Sequence, residues 1–242
     1  MPARLCSKAA WLFAFCRSAC DAGGAGLKKE LKFFMIEEDY GFQQDRFLDP
    51  MMKLGGCAAV TACDASIYFD LYWGTHLYPY DVHALSRRDY VRFSKQMKPY
   101  LKPRRGGVSR LELYIDGYGQ YLRDRGEQRI WMRGLSGTRP ANEAWQALKK
   151  QIDRGIPVPC LILKHKNPAY DDYVWHWFML TGYEETPRTE AHLVKAVTYG
   201  TWNWIDFDGL WNTGEEERGG LILFERKAAD SIASPAVQRK RE

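Results

Sequence analysis

Along these 242 residues the hydrophobic period changes once, near Gly155, and no other feature constrains the fold as strongly. Before that point apolar residues recur at helical spacing. The stretch from Cys57 to about Trp73 is apolar almost throughout and rich in small residues (Ala58, Ala59, Ala62, Ala65), as a buried helix requires, and Gly74 suits its end. Ser86 is placed to cap a second helix, Arg87 to about Met97, stopped by Pro99. Ser109 is placed to cap a third, Leu111 to about Asp124, stopped by Gly126. Pro140 opens a fourth, Ala141 to Asp153, in which Ala144, Leu148 and Ile152 share one face. After Gly155 the runs turn β-branched, aromatic and short: Ile156 to Leu163, Trp175 to Gly182, Leu193 to Tyr199 and Leu221 to Phe224, with Ile130–Arg133 as one more candidate. Helices first and strands afterwards predict an α+β fold, a helical half packed on an antiparallel sheet.

Composition supports one sizeable core, with 45% hydrophobic and 27% charged residues. Tryptophans gather in the second half (Trp175, Trp177, Trp202, Trp204, Trp211), which predicts a packed β core or, less often, the lining of a groove. The net charge of +5 comes largely from the ends, in Lys28–Lys29–Lys32 and Arg239–Lys240–Arg241, and no basic stripe interleaved with aromatics argues for nucleic acid. Lys98, Lys102, Arg104 and Arg105, set among Pro99 and Pro103, read as a solvated loop. The six cysteines (Cys6, Cys16, Cys20, Cys57, Cys63, Cys160) form no CxxC pair and no zinc pattern, and a chain this long does not need disulfides. A reducing, cytoplasmic location is therefore expected. The apolar run Trp11–Cys16 faintly resembles a signal peptide but is far too short to span a membrane. The expected organisation is a poorly ordered or spurious extension over 1–34, a domain over 35–227 and a frayed tail over 228–242.

Two residues carry the candidate chemistry. A cysteine is a good nucleophile as thiolate, and a helix N-terminus favours negative charge through its unpaired N–H groups and macrodipole. Cys57 follows Gly55–Gly56 and opens the buried helix, where its own N–H is also placed to help hold an oxyanion. The plainer reading is a small core hydrophobe among alanines, and Cys63 and Cys160 are read that way. His176 is the candidate base, because it opens the apolar strand Trp177–Phe178–Met179–Leu180–Thr181 and so is held at a rim. The alternative for His176 is a structural histidine bonded to backbone. The other histidines, at 76, 83, 165 and 192, lie in loops or strand ends.

The sequence Gly56-Cys57-Ala58-Ala59-Val60 resembles the nucleophile helix of the C39-like branch of papain-like cysteine peptidases. The run from His176 to Gly182–Tyr183 is similar to that family's histidine strand, and Leu148 to Leu163 looks like the segment before it. The resemblance covers roughly residues 40–226 and rests on the order and spacing of these motifs. It implies a papain-like α+β fold, with the Cys helix in the helical half, the His strand in the sheet, and a Cys57–His176 site in the cleft between them.

Two positions depart from the family's pattern. The family places Asp or Asn at the end of the strand after the histidine strand, to orient the imidazole, and here the nearest residue is Thr198. Asn203 and Asp206 follow closely and are the candidates for that role, with a surface turn as the alternative for Asp206. The family also places a glutamine a few residues before the cysteine as oxyanion donor. Met51 stands six before Cys57, and Gln44, thirteen before it, is the candidate if the loop through Asp49–Pro50 returns it to the site.

The expected activity is a cysteine-dependent peptidase or amidase acting through an acyl-enzyme on a peptide or amide substrate. The alternatives are an acyltransferase on the same site, which the fold does not distinguish, and a catalytically inactive binding module, which the two departures favour. No metal or cofactor is called for: there is no HExxH, no P-loop and no dinucleotide fingerprint, and Asp171–Asp172 beside His176 read as a solvated loop. No integral membrane segment and no nucleic-acid partner are expected, and oligomeric state is left open.

Overall fold

The computed structural model describes residues 26–104, 106–186 and 191–227. In chain order the elements are β1 (Leu27–Glu30), β2 (Met35–Ile36), β3 (Asp39–Tyr40), α1 (Pro50–Gly55), α2 (Cys57–Trp73), α3 (Arg87–Met97) and α4 (Leu111–Asp124). They continue with β4 (Ile130–Ser136), α5 (Ala141–Asp153), β5 (Val158–Ile162), β6 (His176–Thr186), β7 (Ala191–Thr198), β8 (Thr201–Asp206), α6 (Phe207–Trp211) and β9 (Gly219–Arg226). The fold is α+β, as the change of period predicts. Every described strand pairing is antiparallel, and the main sheet runs β4-β9-β5-β6-β7-β8, with β1 beside the far end of β6.

The central element is α2. Every residue from Cys57 to Phe69 is buried, so this part of the helix has no solvent face and is enclosed by other layers. Gly74 ends it in the left-handed conformation at φ 63°. The helix packs against β6 and α3, and Ser66 Oγ meets the Tyr118 hydroxyl of α4 at 2.9 Å. On β6 the register shifts between Leu180 and Gly182, which reverses the alternation of side chains. Trp177 therefore stacks on Tyr114 of α4, while Tyr183 turns to the other face and meets the edge of Trp145 on α5.

Three expectations need correction. The domain does not begin at Met35: β1 pairs with β6 from Leu27↔Glu185 to Glu30↔Gly182, and Leu31, Phe33 and Phe34 are buried. Those apolar side chains join the core because β6 extends past the end of β5 and leaves an edge for β1 to complete. The Ser109 cap is not formed. Arg110 occupies the N-cap position in extended conformation, with no side-chain cap, because the buried Leu111 sets the first helical turn. The tryptophans divide rather than form one core: Trp177 and Trp211 are buried, whereas Trp175 and Trp202 are exposed. The expectations for residues 1–25, including Cys6, Cys16, Cys20 and the signal-like run, and for the tail from Ala228 lie outside the described residues.

Candidate active site

Cys57 owes its place to two consecutive helices joined without a loop. Asp49 caps α1 through Oδ1, which accepts from the Met51 and Met52 N–H groups at 3.0 and 3.2 Å, and Pro50 fills the first helical position. One turn and a half later Gly56 N–H donates to Met52 O at 2.9 Å, and α2 begins at Cys57. Gly56 is required there: a Cβ would lie 2.3 Å from the Met52 carbonyl oxygen. The tight joint sets Cys57 in the first turn of a 17-residue helix, where backbone N–H groups lack intrahelical acceptors.

His176 is the first residue of β6 and is buried. Its Nε2 lies 2.6 Å from Thr198 Oγ1, at the end of the neighbouring strand β7. The Tyr199 ring stacks flat on the imidazole, with centroids 4.7 Å apart and planes 4° from parallel. A two-residue hairpin loop puts Tyr199 there. Thr198 pairs with Thr201, and Tyr199 and Gly200 between them both have positive φ, 53° and 72°. That is the pattern of a type I′ turn, which matches the twist of the flanking strands. A tyrosine at positive φ is strained, and Trp175, just before His176, is held at φ 52° as well. Two of the three non-glycine residues with positive φ among those described thus flank the histidine and its partner.

Cys57 and His176 line the same two hollows. The inner one, of about 10 Å³, also touches Gln44, Thr61, Asp64 and Thr198. The outer cleft, of about 300 Å³, opens between the α1–α2 joint, the glycine loop at Gly106–Gly107 and the exposed Trp175 and Tyr199. Gln44 is brought to the site: it lines both hollows, with Nε2 donating to Lys53 O at 2.8 Å and Oε1 buried without a partner.

The other two candidates are not brought there. Asp206 is the N-cap of α6; its Oδ2 accepts from Gly209 N–H at 2.8 Å and from the Tyr170 hydroxyl at 3.3 Å. Asn203 pairs with Ala196, further along the β7–β8 ladder from Thr198, and is exposed. Neither orients His176, because the hairpin closes at Tyr199–Gly200 and carries β8 away from the histidine. The histidine's orienting partner is Thr198.

The electrostatics differ from a helix-activated thiolate. Burial pushes the Cys57 thiol up, against the pull of backbone N–H groups of Trp177, Ala58 and Cys57 itself. Burial also holds the His176 imidazole down at about 4. For Cys57 desolvation outweighs the helix terminus, and for His176 it acts alone, so near pH 7 the resting pair is neutral thiol and neutral imidazole. Cys63 and Cys160 are fully buried, and burial raises both thiols, as expected of core residues.

Asp64 is the residue that sequence reasoning missed. It lies on α2 two turns from Cys57 and is buried, and its Oδ1 accepts from the Tyr90 hydroxyl at 2.7 Å. Burial pushes its carboxyl up to about 7. The signal was legible: it is the sole acidic residue in the otherwise apolar run from Cys57 to Phe69.

No group of three His, Cys, Asp or Glu among the described residues is placed to hold a metal ion, and no described helix is long and apolar enough to cross a membrane. No protein-family model matches the chain, and no curated protein matches its sequence.

Proposed function

We propose that the protein is a papain-like cysteine hydrolase that cleaves peptide or other amide bonds through Cys57 and His176. The reading rests on one observation above all: His176, at a strand start, is clamped by Thr198 and Tyr199 in hollows that it shares with a cysteine at a helix N-terminus. With Nε2–H donating to Thr198 Oγ1, Nδ1 is the free base. It takes the thiol proton as the sulfur attacks the carbonyl carbon. The oxyanion faces the N–H groups at the start of α2, with Gln44 on the same wall. The C–N bond then breaks as the imidazolium returns its proton to the amine, and water resolves the thioester. The outer cleft, rimmed by Trp175 and Tyr199, receives the acyl side of the substrate. An amine in place of that water makes the same site an acyltransferase.

The neutral resting pair favours a second reading, a binding module on the same fold with no turnover. The two are separated by incubating wild type, Cys57→Ala and His176→Ala with a complex peptide mixture and following new termini by mass spectrometry, with and without added amine. Cleavage in wild type that both variants lose supports the hydrolase. Identical product profiles in all three exclude it.

A further inference from the structure

His176 lacks the carboxylate or carboxamide that would stabilise its charged form, yet the inner hollow holds one unused carboxyl. Asp64 lines it from α2, together with His176 and Thr198. A Cβ placed on Gly41 would lie 3.1 Å from Asp64 Oδ2 and 3.4 Å from a Val197 methyl, so this oxygen lies near the Val197 side chain of β7. The hollow, at about 10 Å³, has room for about one water, so little solvent screens a charge there.

We infer that Asp64 is the positioning carboxylate of this site: ionised, it stabilises the imidazolium that forms on His176 when Cys57 gives up its proton. The inference rests on the Cys57–His176 reading. The groups around Asp64 are Tyr90 on α3, Tyr114 on α4 and Cys63 on its own helix, and Cys57 and His176 line the same hollow. No lysine or arginine is paired with it among the described residues. His176 stacks on Tyr199 and shares the hollow with Cys57 and Asp64. Because the carboxyl titrates at about 7, the coupling switches on as pH rises through neutrality.

The test uses the full-length protein. The rate of Cys57 alkylation by iodoacetamide is followed by mass spectrometry from pH 5 to 9. In wild type the alkylation profile should carry a step near pH 7 that Asp64→Asn abolishes, with the rate at pH 8 falling about tenfold. Asparagine retains an acceptor for the Tyr90 hydroxyl, so a purely structural Asp64 predicts no change in the alkylation profile, and that result overturns the inference. Tyr90→Phe keeps the charge but removes a hydrogen bond that holds the carboxyl down, so it should shift the step to higher pH; an unmoved step also counts against the inference. Alkylation reads the coupling whether or not Cys57 hydrolyses anything, so failure of the hydrolase reading alone leaves this result standing.

Discussion

His176 Nε2 and Thr198 Oγ1 lie 2.6 Å apart across β6 and β7, so a hydroxyl, not a carboxylate or a carboxamide, orients the buried imidazole. A hydroxyl can fix a ring without stabilising its charge. Burial depresses the His176 pKa, and the hydroxyl does not offset it.

Thr198→Val keeps the shape and removes the hydroxyl. One nitrogen of a buried histidine is then left without a partner, which should cost about 1–2 kcal/mol in urea denaturation at pH 7. Thr198→Asn, which restores a polar partner, should recover most of the alkylation rate of Cys57. Equal stability of wild type and the valine variant would mean that the hydrogen bond contributes nothing net.

At the helix joint, Gly56→Ala drives a Cβ to 2.3 Å from the Met52 carbonyl oxygen, and the joint must open. A loss of roughly 2–4 kcal/mol is expected, with slower alkylation of Cys57. Gly74→Ala meets no atom within 4 Å but has φ 63°, and should cost only about 1 kcal/mol, with Cys57 unaffected. Similar losses in both variants would show that the close approach is not what demands Gly56.

Stability should depend on pH through two buried groups of opposite sense. The Asp64 pKa is raised from 3.8 to about 7, so its contribution is intact below pH 4 and is lost as pH rises through 7. That penalty is on the order of 4 kcal/mol. Asp64→Asn should therefore be more stable than wild type at pH 8, with the difference vanishing below pH 4. The His176 pKa is lowered from 6.5 to about 4, so its contribution is intact above 6.5 and is lost as pH falls through 4. Denaturation midpoints across pH 4–8 measure both, and an Asp64→Asn curve parallel to wild type would contradict the first.

Tyr199→Asn replaces a strained aromatic with a residue that a type I′ turn favours, and uncovers the imidazole. Because burial is what depresses His176, its pKa should climb from about 4 towards 6.5. NMR titration reads this directly, and a ring that still titrates near 4 would show that Tyr199 is not what shields it.

The helical half was legible because its signals are local. The Cys57–Trp73 helix, the Ser86 cap of α3 and the Ala141–Asp153 helix each follow from residues within a few positions of their ends. The strands were legible as runs, though not in extent: β6 continues to Thr186 because β1 pairs with its outer half, a contact between residues more than 150 apart in sequence. Strand β8 was missed because the turn carries Tyr199 where Asn, Asp or Gly is usual before the glycine, and this misplaced the orienting residue at Asn203 or Asp206. Gln44 reaches the site through a loop that no periodicity predicts. Asp64 was visible as the one acidic residue between Cys57 and Phe69, but only the fold shows that it lines the same hollow as His176.

The central claim is that His176 acts as base to Cys57, and the most direct measurement is the alkylation rate of Cys57 by iodoacetamide at pH 7.5 in wild type and in His176→Ala. The account predicts a fall of about 100-fold in the variant, the size of effect a positioned base supplies. Equal rates in the two proteins would contradict it and leave Cys57 as a packing residue of α2.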